Sequence, residues 1–516
     1  MQYRNPVLPG THPDPTVCRV GEDYYLATSS FEYFPGVPLY HSTDLVSWTH
    51  VGHCLTRESQ LDVTDTDSSD GIYAPTLRHH DGTFYLVTTF VGGGGHFVVT
   101  AEEPTGEWSE PTSLDAPGFD PDLFFDDGTV YLSYAHGPTL AETTVHVAPV
   151  DLDTGAVGDS RTLWEGIEGT FCEAPHLYEV DGTYYLLTAE GGTHTNHMVV
   201  AARGDSPTGP FEPCPHNPIL SHRGHPMHPV SAAGHGDLVD APDGSWWLVF
   251  LGVRQQGGHP GWHHLGRETF LAPVDWRDGW PVVAAGGPVD LVVDVESLPG
   301  DGGSPEPSAP ARETHETFDG ETLDGAFEFR RNPAEGAYSL DDESLTLRPR
   351  TASLDDRGAT FVGRRQAHFD CRCSVHLAFD PAPGEEAGLA LVADERHHYE
   401  VGLRGRENGS VALVRRRVGD VTAVAAERRV DGETFELTVD ATPTSYRFAV
   451  EAGGGGETAR DGPLATAAPR YLATEVTGLF TGVYVGPYVV ARTGSSDHEE
   501  PTAAHVERFR YEPTEP

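Results

Sequence analysis

The sequence contains no lysine: all 33 of its basic residues are arginines, and they face 79 acidic residues. The formal net charge at pH 7 is −46, and the acidic residues are spread along the whole chain rather than gathered in a tail. A surface of this charge repels phosphate groups and anionic lipid, which excludes nucleic acid and membranes as partners. Dispersed acidic charge is also typical of proteins that work in salt, so we interpret the chain as halophilic, with an acidic mesophilic protein as the alternative.

Cysteines and long apolar runs are also scarce. The six cysteines form no dense framework, and the pair Cys371 and Cys373 lacks the spacing of a zinc knuckle, so reduced structural thiols are expected. The longest apolar run is about the length of "WWLVFLGV" (246–253), far short of a membrane span. The opening stretch "MQYRNPVLPG" has no apolar signal core, which predicts a soluble, cytoplasmic protein. A homo-oligomer is compatible with the sequence, which does not define an oligomeric state.

Five short stretches of the first half resemble one another. Each has a turn signal followed by an aromatic and β-branched run, which predicts a hairpin turn leading into a buried strand. They are "GEDYYLATSS" (21–30), "DGTFYLVTTF" (81–90), "DDGTVYLSYA" (126–135), "DGTYYLLTAE" (181–190) and "DGSWWLVFLG" (243–252).

An apolar residue precedes the aromatic position of each repeat by seven or eight residues. These anchors recur at steps of 60, 46, 54 and 61 residues, and they are Val17, Leu77, Leu123, Leu177 and Leu238. Units of four strands with about this repeat length are the blades of β-propellers, and no long stretch of helical periodicity competes. The sequence therefore predicts an all-β protein whose residues 1–297 form a five-bladed β-propeller.

The pattern stops near residue 297. Residues 298–310, "LPGDGGSPEPSAP", contain nine Gly, Ser or Pro in thirteen positions and are interpreted as a linker. Beyond it, "TFELTVD" (434–440) alternates strictly between apolar and polar residues, as a strand of a β-sandwich does. We therefore expect a β-sandwich domain over residues 311–516. All eight tryptophans precede the linker, so aromatic platforms for a ligand are expected in the first domain.

Acidic residues occupy the lead-in to several repeats. "HPDPTV" (12–17), "FDPDLFF" (119–125) and "CEAPHLY" (172–178) place Asp14, Asp120 and Glu173 at what we take to be one repeat position. "GHGDLVD" (234–240) places His235 there, and "YAPTLR" (73–78) an alanine. Because the innermost strands of all blades converge on one axial channel, we expect these side chains to share a pocket. Each acid taken alone could instead be a turn or capping residue.

Three carboxylates in one concave, aromatic-lined site suit glycoside hydrolysis. A carboxylate activates water, a carboxylic acid protonates the leaving oxygen, and a third acid raises the pKa of the proton donor. The rival interpretation is a bound cation such as calcium, but no EF-hand pattern is present and the acids are distant in sequence. "GGGG" at 92–95 lacks the lysine and the context of a phosphate loop and is interpreted as a rim loop.

These stretches resemble the β-xylosidases of glycoside hydrolase family 43. The resemblance is carried by "NPVLPGTHPDPTVCRVGEDYYLATSSFEYFPGVPLYHSTDLVSW" (5–48), "GFDPDLFFDDG" (118–128), "EAPHLYEVDGTYYLLTAEGGT" (173–193), "GHGDLV" (234–239) and "LGRETF" (265–270). Residues 313–516 more weakly resemble the β-sandwich appended to these enzymes. The resemblance implies an inverting hydrolase with Asp14 as general base, Glu173 as general acid and Asp120 as modulator of the pKa of the acid and its orienter.

The resemblance also implies residues that bind the sugar. Phe31 in "SSFEYFPG" matches an aromatic residue of the sugar pocket, and Arg267 in "GRET" matches an arginine that binds sugar hydroxyls. Without the resemblance, an ion pair of Arg267 with the neighbouring Glu268 is the plainer interpretation. Tyr484 stands where the family has a phenylalanine that shields the site, although a residue of the sandwich core is the alternative.

The family commonly has tryptophan where this chain has Tyr73, in "GIYAPT", so the platform of the first subsite is expected to be smaller. His235 matches a histidine that often faces a cation and its waters, so calcium in the propeller channel is an expectation, while the chemistry itself requires no cofactor. Cys172, next to the expected acid, is interpreted as a packing residue.

The leading functional hypothesis is an exo-acting β-1,4-xylosidase that releases xylose from the non-reducing ends of xylo-oligosaccharides. An α-L-arabinofuranosidase, or an enzyme with both activities, is the alternative, because the two sugars place similar hydroxyls. A non-catalytic sugar-binding propeller is a distant third hypothesis, since such a module needs no trio of acids.

Overall fold

The computed structural model describes residues 1–258, 260–300, 305–341, 343–453, 462–491 and 501–514. Strands dominate these residues, and the one α-helix is the single turn α1 (Thr474–Thr477). The remaining helical turns are 3-10 turns at Leu140–Glu142, Ala284–Gly286, Ala309–Ala311 and Pro469–Leu472. No helix within the described ranges has the length and apolar character needed to cross a bilayer.

The chain divides into two compact units. The first comprises Met1–Leu61, Ser69–Gln255 and Arg267–Ala309. The second comprises Asp62–Ser68, Gln256–Gly266 and Pro310–Pro516, so two short segments from within the repeat region belong to it.

The first unit contains five antiparallel sheets, each built from one sequence repeat. The strands of the first two repeats are β1 (Gln2–Arg4), β2 (Thr16–Val20), β3 (Asp23–Ala27), β4 (Tyr33–Phe34), β5 (Gly36–Ser42), β6 (Thr49–Leu55), β7 (Gly71–Ile72), β8 (Thr76–His80), β9 (Thr83–Val91), β10 (Gly95–Ala101) and β11 (Thr112–Ser113). Those of the next three are β12 (Phe119–Asp126), β13 (Thr129–His136), β14 (Thr144–Pro149), β15 (Arg161–Trp164), β16 (Glu173–Val180), β17 (Thr183–Glu190), β18 (Met198–Gly204), β19 (Phe211–Pro213), β20 (Leu220–Ser221), β21 (Val230–Asp240), β22 (Trp246–Arg254), β23 (Glu268–Arg277), β24 (Trp280–Val283) and β25 (Val292–Asp294).

Each sheet runs outwards in chain order from its anchor-bearing strand, as in β12-β13-β14-β15 and β21-β22-β23-β24. This order is that of a propeller blade, and the five sheets confirm the predicted five-bladed β-propeller. Strand β1 pairs with β25, which joins the two ends of the repeat region.

The apolar anchors set the register of each blade. Leu123 lies opposite Leu132 and Leu177 opposite Leu186, and the anchors in the other blades pair in the same way. The anchors and their partners are buried, so the burial of these leucines, at about 1.5–3 kcal/mol each, favours this register.

The described part of the predicted linker is tied to the first unit. Leu298 is buried, Ser308 Oγ donates a hydrogen bond to Val46 O over 3.0 Å, and Ala309 N donates to Trp48 O over 2.8 Å. Residues 301–304 of the predicted linker lie outside the described residues.

The second unit is the predicted β-sandwich. Its strands are β26 (Thr314–Glu316), β27 (Glu328–Arg330), β28 (Tyr338–Asp341), β29 (Ser344–Leu347), β30 (Thr360–Arg365), β31 (Cys371–Ala378), β32 (Glu385–Asp394), β33 (His397–Arg406), β34 (Gly409–Val418), β35 (Val421–Val430), β36 (Thr434–Thr442), β37 (Ser445–Ala452), β38 (Ala465–Ala467), β39 (Tyr484–Ala491) and β40 (Ala504–Pro513). One sheet has the order β28-β29-β40-β31-β36-β37-β38, with β26 also paired to β40, and the other contains β35-β34-β33-β32-β39-β30-β27.

The alternation predicted for "TFELTVD" is confirmed, because Phe435, Leu437 and Val439 of β36 are buried in the core between the sheets. All six cysteines fall within the described ranges, and each is a buried free thiol. The two inserted segments bind the sandwich directly: Val63 N donates to Asn332 Oδ1 over 2.7 Å, and His263 N donates to Glu475 Oε2 over 3.0 Å.

Candidate active site

The three predicted carboxylates lie at the starts of innermost strands of the propeller. Asp14 precedes β2, Asp120 is the second residue of β12, and Glu173 is the first residue of β16. Asp14 and Asp120 have φ angles of 55° and 52°, in the left-handed region that side chains with a Cβ seldom adopt. Such backbone costs about 1–3 kcal/mol per residue and concentrates at functional sites. A β-bulge follows Phe119 in β12 and Glu173 in β16, which redirects the side chains at these strand starts.

The repeat position assigned to Glu173 from the sequence was wrong by one residue. Counting from the anchors, Ala174 corresponds to Asp14 and Asp120, and its φ of 50° matches theirs. Glu173 lies opposite Ala189 just as Phe119 lies opposite Ala135, so Glu173 and Phe119 are equivalent. The acid therefore reaches the cluster from a different repeat position than the two aspartates.

Asp14 is held as a carboxylate. Arg267 Nη1 donates to Asp14 Oδ1 over 2.9 Å, Ser29 Oγ donates to Oδ2 over 2.6 Å, and His235 Nδ1 lies 3.6 Å from Oδ1. Burial alone would raise the pKa of Asp14, but the Arg267 charge, His235 and the Ser29 hydroxyl outweigh burial and lower it. A carboxylate with this pKa is ionised at neutral pH and can accept a proton from water.

Glu173 has the opposite character. Burial, followed by the negative charges of Asp120 and Asp14, raises the pKa of Glu173 well above its ordinary value, against a smaller lowering by Arg267. Burial and Asp14 also raise the pKa of Asp120, but Asp120 Oδ2 accepts a hydrogen bond from Ala174 N over 3.1 Å, which favours its ionised form. The proton of this coupled pair therefore resides on Glu173, which leaves Glu173 as an acid that can donate it.

Aromatic rings and Arg267 line the same place. The rings of Phe31 and Tyr73 meet edge to face with centroids 5.5 Å apart, and the Arg267 guanidinium carbon lies 5.7 Å from the centroid of the Phe31 ring. Phe31 N donates to Ile72 O and Ile72 N to Phe31 O, so the first two blades present the two rings together. Arg267 pairs with Asp14, and the carboxylate of Glu268 receives two hydrogen bonds from Arg254 over 2.7 and 2.8 Å.

Three further residues, which the sequence analysis did not single out, complete this cluster. Ser29 binds Asp14, Thr193 Oγ1 accepts a hydrogen bond from Arg267 Nη1 over 3.3 Å, and His197 donates from Nδ1 to Ala232 O over 3.1 Å. Burial lowers the pKa of His197 to about 3, and that of His235 to about 4, so both rings are neutral at neutral pH. Ser29 lies near the end of the repeated stretch 21–30, whereas Thr193 and His197 lie between β17 and β18, so no shared repeat position marks the three residues.

A second polar cluster lies one step further along the innermost strands. Arg78 Nη2 lies 2.8 Å from Asp122 Oδ1 and donates to His176 Nδ1 over 3.0 Å, and Arg78 Nη1 donates to Asp237 Oδ2 over 3.2 Å. Both aspartates are fully buried. These carboxylates raise the pKa of Arg78 even though burial opposes its charge.

Asp237 links the last blade to the first and fourth. Its Oδ2 accepts from Thr16 Oγ1 over 2.8 Å and Val17 N over 2.9 Å, and its Oδ1 accepts from Tyr178 OH over 2.5 Å. Burial raises the pKa of Asp237, but Arg78, His176 and the Tyr178 hydroxyl lower it to about 2. Thr16, Asp122, His176 and Asp237 directly precede their anchors, so this repeated position could have revealed the cluster from sequence.

The surroundings of His235 provide few oxygen ligands for calcium. Asp14, the nearest carboxylate, is already engaged by Arg267 and Ser29, and the facing ring of His176 is 6.4 Å away between centroids. Calcium favours six to eight oxygen ligands, so an ion at His235 would depend mainly on water. Within the described residues, three candidate ligand side chains converge at Glu313, His315 and Glu512 of the second unit and not at His235. Calcium at His235 stays a prediction, and no chemical step is derived from it.

Tyr484 is a buried residue of β39 in the second unit. Its hydroxyl donates to Glu328 Oε2 over 2.7 Å and accepts from Arg365 Nε over 3.0 Å. The shielding role implied for it stays a prediction.

Comparison with known proteins agrees with these features. Residues 3–281 match the model of glycosyl hydrolases family 43, and residues 315–512 match the beta xylosidase C-terminal concanavalin A-like domain. A non-reducing end α-L-arabinofuranosidase of Bacteroides ovatus is 40% identical over 498 residues, which cover 94% of this chain and 91% of the relative. A xylosidase/arabinosidase of Butyrivibrio fibrisolvens is 41% identical over 415 residues, covering 77% of this chain and 79% of the relative.

The crystal structure of a xylan β-1,4-xylosidase from Bacillus halodurans superimposes with a TM-score of 0.88 at 31% identity, covering 99% of this chain and 100% of that one. These matches span both units and include the stretches that carry the three carboxylates. The chain therefore belongs to glycoside hydrolase family 43, with the C-terminal concanavalin A-like domain of its β-xylosidases.

Proposed function

We propose that the protein is an exo-acting, inverting glycosidase that releases xylose from the non-reducing ends of β-1,4-xylo-oligosaccharides. The observation that carries this proposal is one cluster in which Arg267 and Ser29 hold Asp14 by hydrogen bonds, which lowers its pKa, while burial and the neighbouring carboxylates raise the pKa of Glu173. An ionised carboxylate and a protonated carboxyl group at neutral pH are the two groups that glycosidic cleavage requires.

The reaction follows from these protonation states. Asp14 accepts a proton from a water molecule as the water oxygen bonds to the anomeric carbon. Glu173 gives its proton to the glycosidic oxygen as the carbon–oxygen bond breaks, and the shortened oligosaccharide leaves as an alcohol. Attack by water on the face opposite the leaving group inverts the anomeric configuration. Asp120 keeps the proton on Glu173 before the reaction, and Arg267 holds Asp14 in place while binding sugar hydroxyls.

An α-L-arabinofuranosidase, alone or together with xylosidase activity, is the second candidate. The Bacteroides ovatus relative is named for this activity, and the Butyrivibrio fibrisolvens relative is named for both. Xylopyranose and arabinofuranose are both pentoses with similarly placed hydroxyls, so one pocket can accept either.

The decisive experiment compares 4-nitrophenyl β-D-xylopyranoside with 4-nitrophenyl α-L-arabinofuranoside at both low and molar salt. A higher kcat/KM for the xyloside supports the proposal, and a higher value for the arabinofuranoside supports the second candidate. Sugar binding without turnover of either substrate would indicate a non-catalytic propeller. The product anomer formed from xylobiose, observed by NMR before mutarotation, tests inversion separately.

A further inference from the structure

Two loops of the first unit flank the general acid. Residues 165–171 lead directly into Glu173, and residues 191–197 connect β17 to β18 of the same blade. Their aromatic side chains, Phe171 and His194, pack edge to face with ring centroids 6.3 Å apart. Phe171 is half-buried and His194 is exposed, so the pair presents a ring surface to solvent.

The pair is linked to the base through the loop that carries His194. A Cβ on Gly192 would lie 3.2 Å from Phe171 Cγ and 3.2 Å from His194 Nε2, so both rings lie beside Gly192. The next residue, Thr193, accepts the hydrogen bond from Arg267, and Arg267 donates to Asp14. One short loop therefore connects the aromatic pair to the carboxylate that activates water.

Phe171 and Glu173 both remain partly accessible, whereas Cys172 between them is fully buried. The acid and the phenylalanine, two residues apart, are thus both accessible to solvent. Phe171 has a φ of 49°, a left-handed conformation that costs an aromatic residue free energy. Because this costly conformation occurs next to the acid, we infer that the position of the Phe171 ring matters for function.

The loop that carries Phe171 is anchored at several points. The buried carboxylate of Glu190 accepts hydrogen bonds from Trp164 Nε1 over 3.2 Å, Ile167 N over 2.9 Å and Glu168 N over 3.2 Å. Phe171 N donates to Ala141 O over 3.1 Å, and Gly191 N donates to Thr170 O over 3.2 Å. A loop tied to both of its neighbours holds a ring in one position at little entropic cost on binding.

His194 adds a polar function to the ring surface. Its Nδ1 accepts a hydrogen bond from Asn196 N over 3.3 Å, which leaves Nε2 as the ring nitrogen that carries a proton. The Nε2–H group can therefore donate to an oxygen of a bound molecule. An apolar ring beside a hydrogen-bond donor suits a sugar, which presents axial C–H groups on its faces and hydroxyls at its edge.

We propose that Phe171 and His194 form the subsite for the sugar on the leaving side of the scissile bond, a neutral pyranose of the oligosaccharide. The general acid protonates the glycosidic oxygen, so accessible groups on the loops that flank the acid are placed to meet the leaving sugar. Phe171 stacks on that sugar and His194 Nε2 donates to one of its hydroxyls. This inference rests on the proposed function and names the residues that bind the sugar on the leaving side.

The test separates the leaving sugar from the sugar that is released. Phe171→Ala and His194→Ala are assayed on xylotriose and on β-D-xylopyranosyl fluoride, whose leaving group is a single atom. We expect kcat/KM for xylotriose to fall about tenfold in each variant and that for the fluoride to stay within about twofold. Phe171→Tyr keeps the ring and should retain the wild-type ratio between the two substrates.

The matched control is Phe211→Ala, which removes another half-buried phenylalanine from the outermost strand β19 of the same blade. This variant should not lower kcat/KM for one substrate more than for the other. The proposal is overturned if Phe171→Ala and His194→Ala lower turnover of both substrates equally, or leave xylotriose turnover unchanged. Because His194 is exposed, His194→Ala should fold and still tests the proposal if Phe171→Ala fails to fold.

The wild-type protein tests the proposed function independently. If it hydrolyses α-L-arabinofuranosyl fluoride but not the xylosyl fluoride, the same comparison is made with that fluoride and an arabino-oligosaccharide. If it hydrolyses no glycosyl fluoride at all, the proposed function and the leaving-side subsite fail together. A wild-type enzyme that cleaves a fluoride, with variants that show no selective loss on oligosaccharides, overturns the subsite alone.

Discussion

Arg267 donates from a single nitrogen, Nη1, to Asp14 Oδ1 over 2.9 Å and to Thr193 Oγ1 over 3.3 Å. The same guanidinium therefore lowers the pKa of the proposed base and binds the loop beside the proposed acid. Because Asp14 is buried, an unpaired charge there would be costly, and Arg267 makes the ionised base stable. This double role makes the pH dependence of catalysis a direct readout of the contact.

Replacing Arg267 by methionine should shift the acidic limb of the pH profile of kcat/KM to higher pH. Without the guanidinium, burial raises the pKa of Asp14, so the base becomes protonated at pH values where the wild-type base is ionised. Activity at neutral pH should also fall, by about 10²-fold, because a preorganised charge in the pocket is lost.

The matched control is Arg254→Met, which removes a guanidinium bound to Glu268 rather than to the base. Its acidic limb should stay where the wild-type limb lies. An acidic limb that does not move in Arg267→Met would contradict the assignment of Asp14 as the group that must be ionised.

Glu173→Ala should separate substrates by the quality of their leaving groups. We expect kcat for xylobiose to fall about 10²–10⁴-fold, because its leaving alcohol requires protonation, while an activated dinitrophenyl xyloside is affected far less. Asp14→Ala should slow both substrates alike, since water must be activated in each case. Equal losses on both substrates in a folded Glu173→Ala variant would show that the roles of acid and base are wrongly assigned.

Asp120→Asn should move the basic limb of the pH profile to lower pH. The negative charge of Asp120 helps to keep the proton on Glu173, so its removal lowers the pKa of Glu173. The acid then loses its proton at a lower pH, and activity above neutrality declines earlier. The measurement is kcat/KM for xylobiose across pH, and an unchanged basic limb would rule out Asp120 as a modulator.

The repeated stretches predicted the propeller because each blade is local in sequence. A turn, a buried strand and an apolar anchor recur together, and the pairing of Leu123 with Leu132 depends only on residues within one hairpin. The same reasoning brought Asp14 and Asp120 together, because an innermost strand of any blade meets the axis.

The register of Glu173 could have been counted from the sequence, because Glu173 stands four residues before its anchor Leu177, whereas Asp14 and Asp120 stand three residues before theirs. The Arg78 cluster was missed for a different reason: Asp122, His176 and Asp237 share the position directly before their anchors, but Arg78 directly follows its own anchor and lies 98 and 159 residues from His176 and Asp237. The repeat position therefore indicates the buried acids and the histidine, but not the arginine that pairs with them.

Arg78→Met should destabilise the first unit strongly. It leaves two fully buried carboxylates, Asp122 and Asp237, without their cation, and breaking a buried pair in this way costs about 3–5 kcal/mol. The free energy of unfolding in urea, followed by tryptophan fluorescence, measures the loss, because seven of the eight tryptophans belong to the first unit.

The control for Arg78 is Arg19→Met. Arg19 pairs with Asp240 over 2.7 Å where both side chains are partly exposed, so its loss should cost about 1 kcal/mol or less. Equal losses in the two variants would show that the Arg78 cluster contributes no more than a surface pair.

The contribution of Asp237 to stability should also depend on pH. Because the folded pKa of Asp237 is lowered to about 2, its stabilisation is present above the unfolded pKa near 3.9 and is lost as the pH falls through about 2.

Salt should stabilise the protein. With a net charge of −46 and no lysine, the acidic groups repel one another at low ionic strength, and this repulsion favours unfolding. Screening shortens the Debye length from about 10 Å at 0.1 M to about 3 Å at 1 M, so the melting temperature should be higher in molar sodium chloride than in tens of millimolar. Most of the rise should occur at low salt, where screening changes fastest, whereas a gain due to ion exclusion from the surface would continue steadily at high salt. A melting temperature that stays constant or falls over this range would contradict the halophilic interpretation. It would not affect the assignment to the hydrolase family.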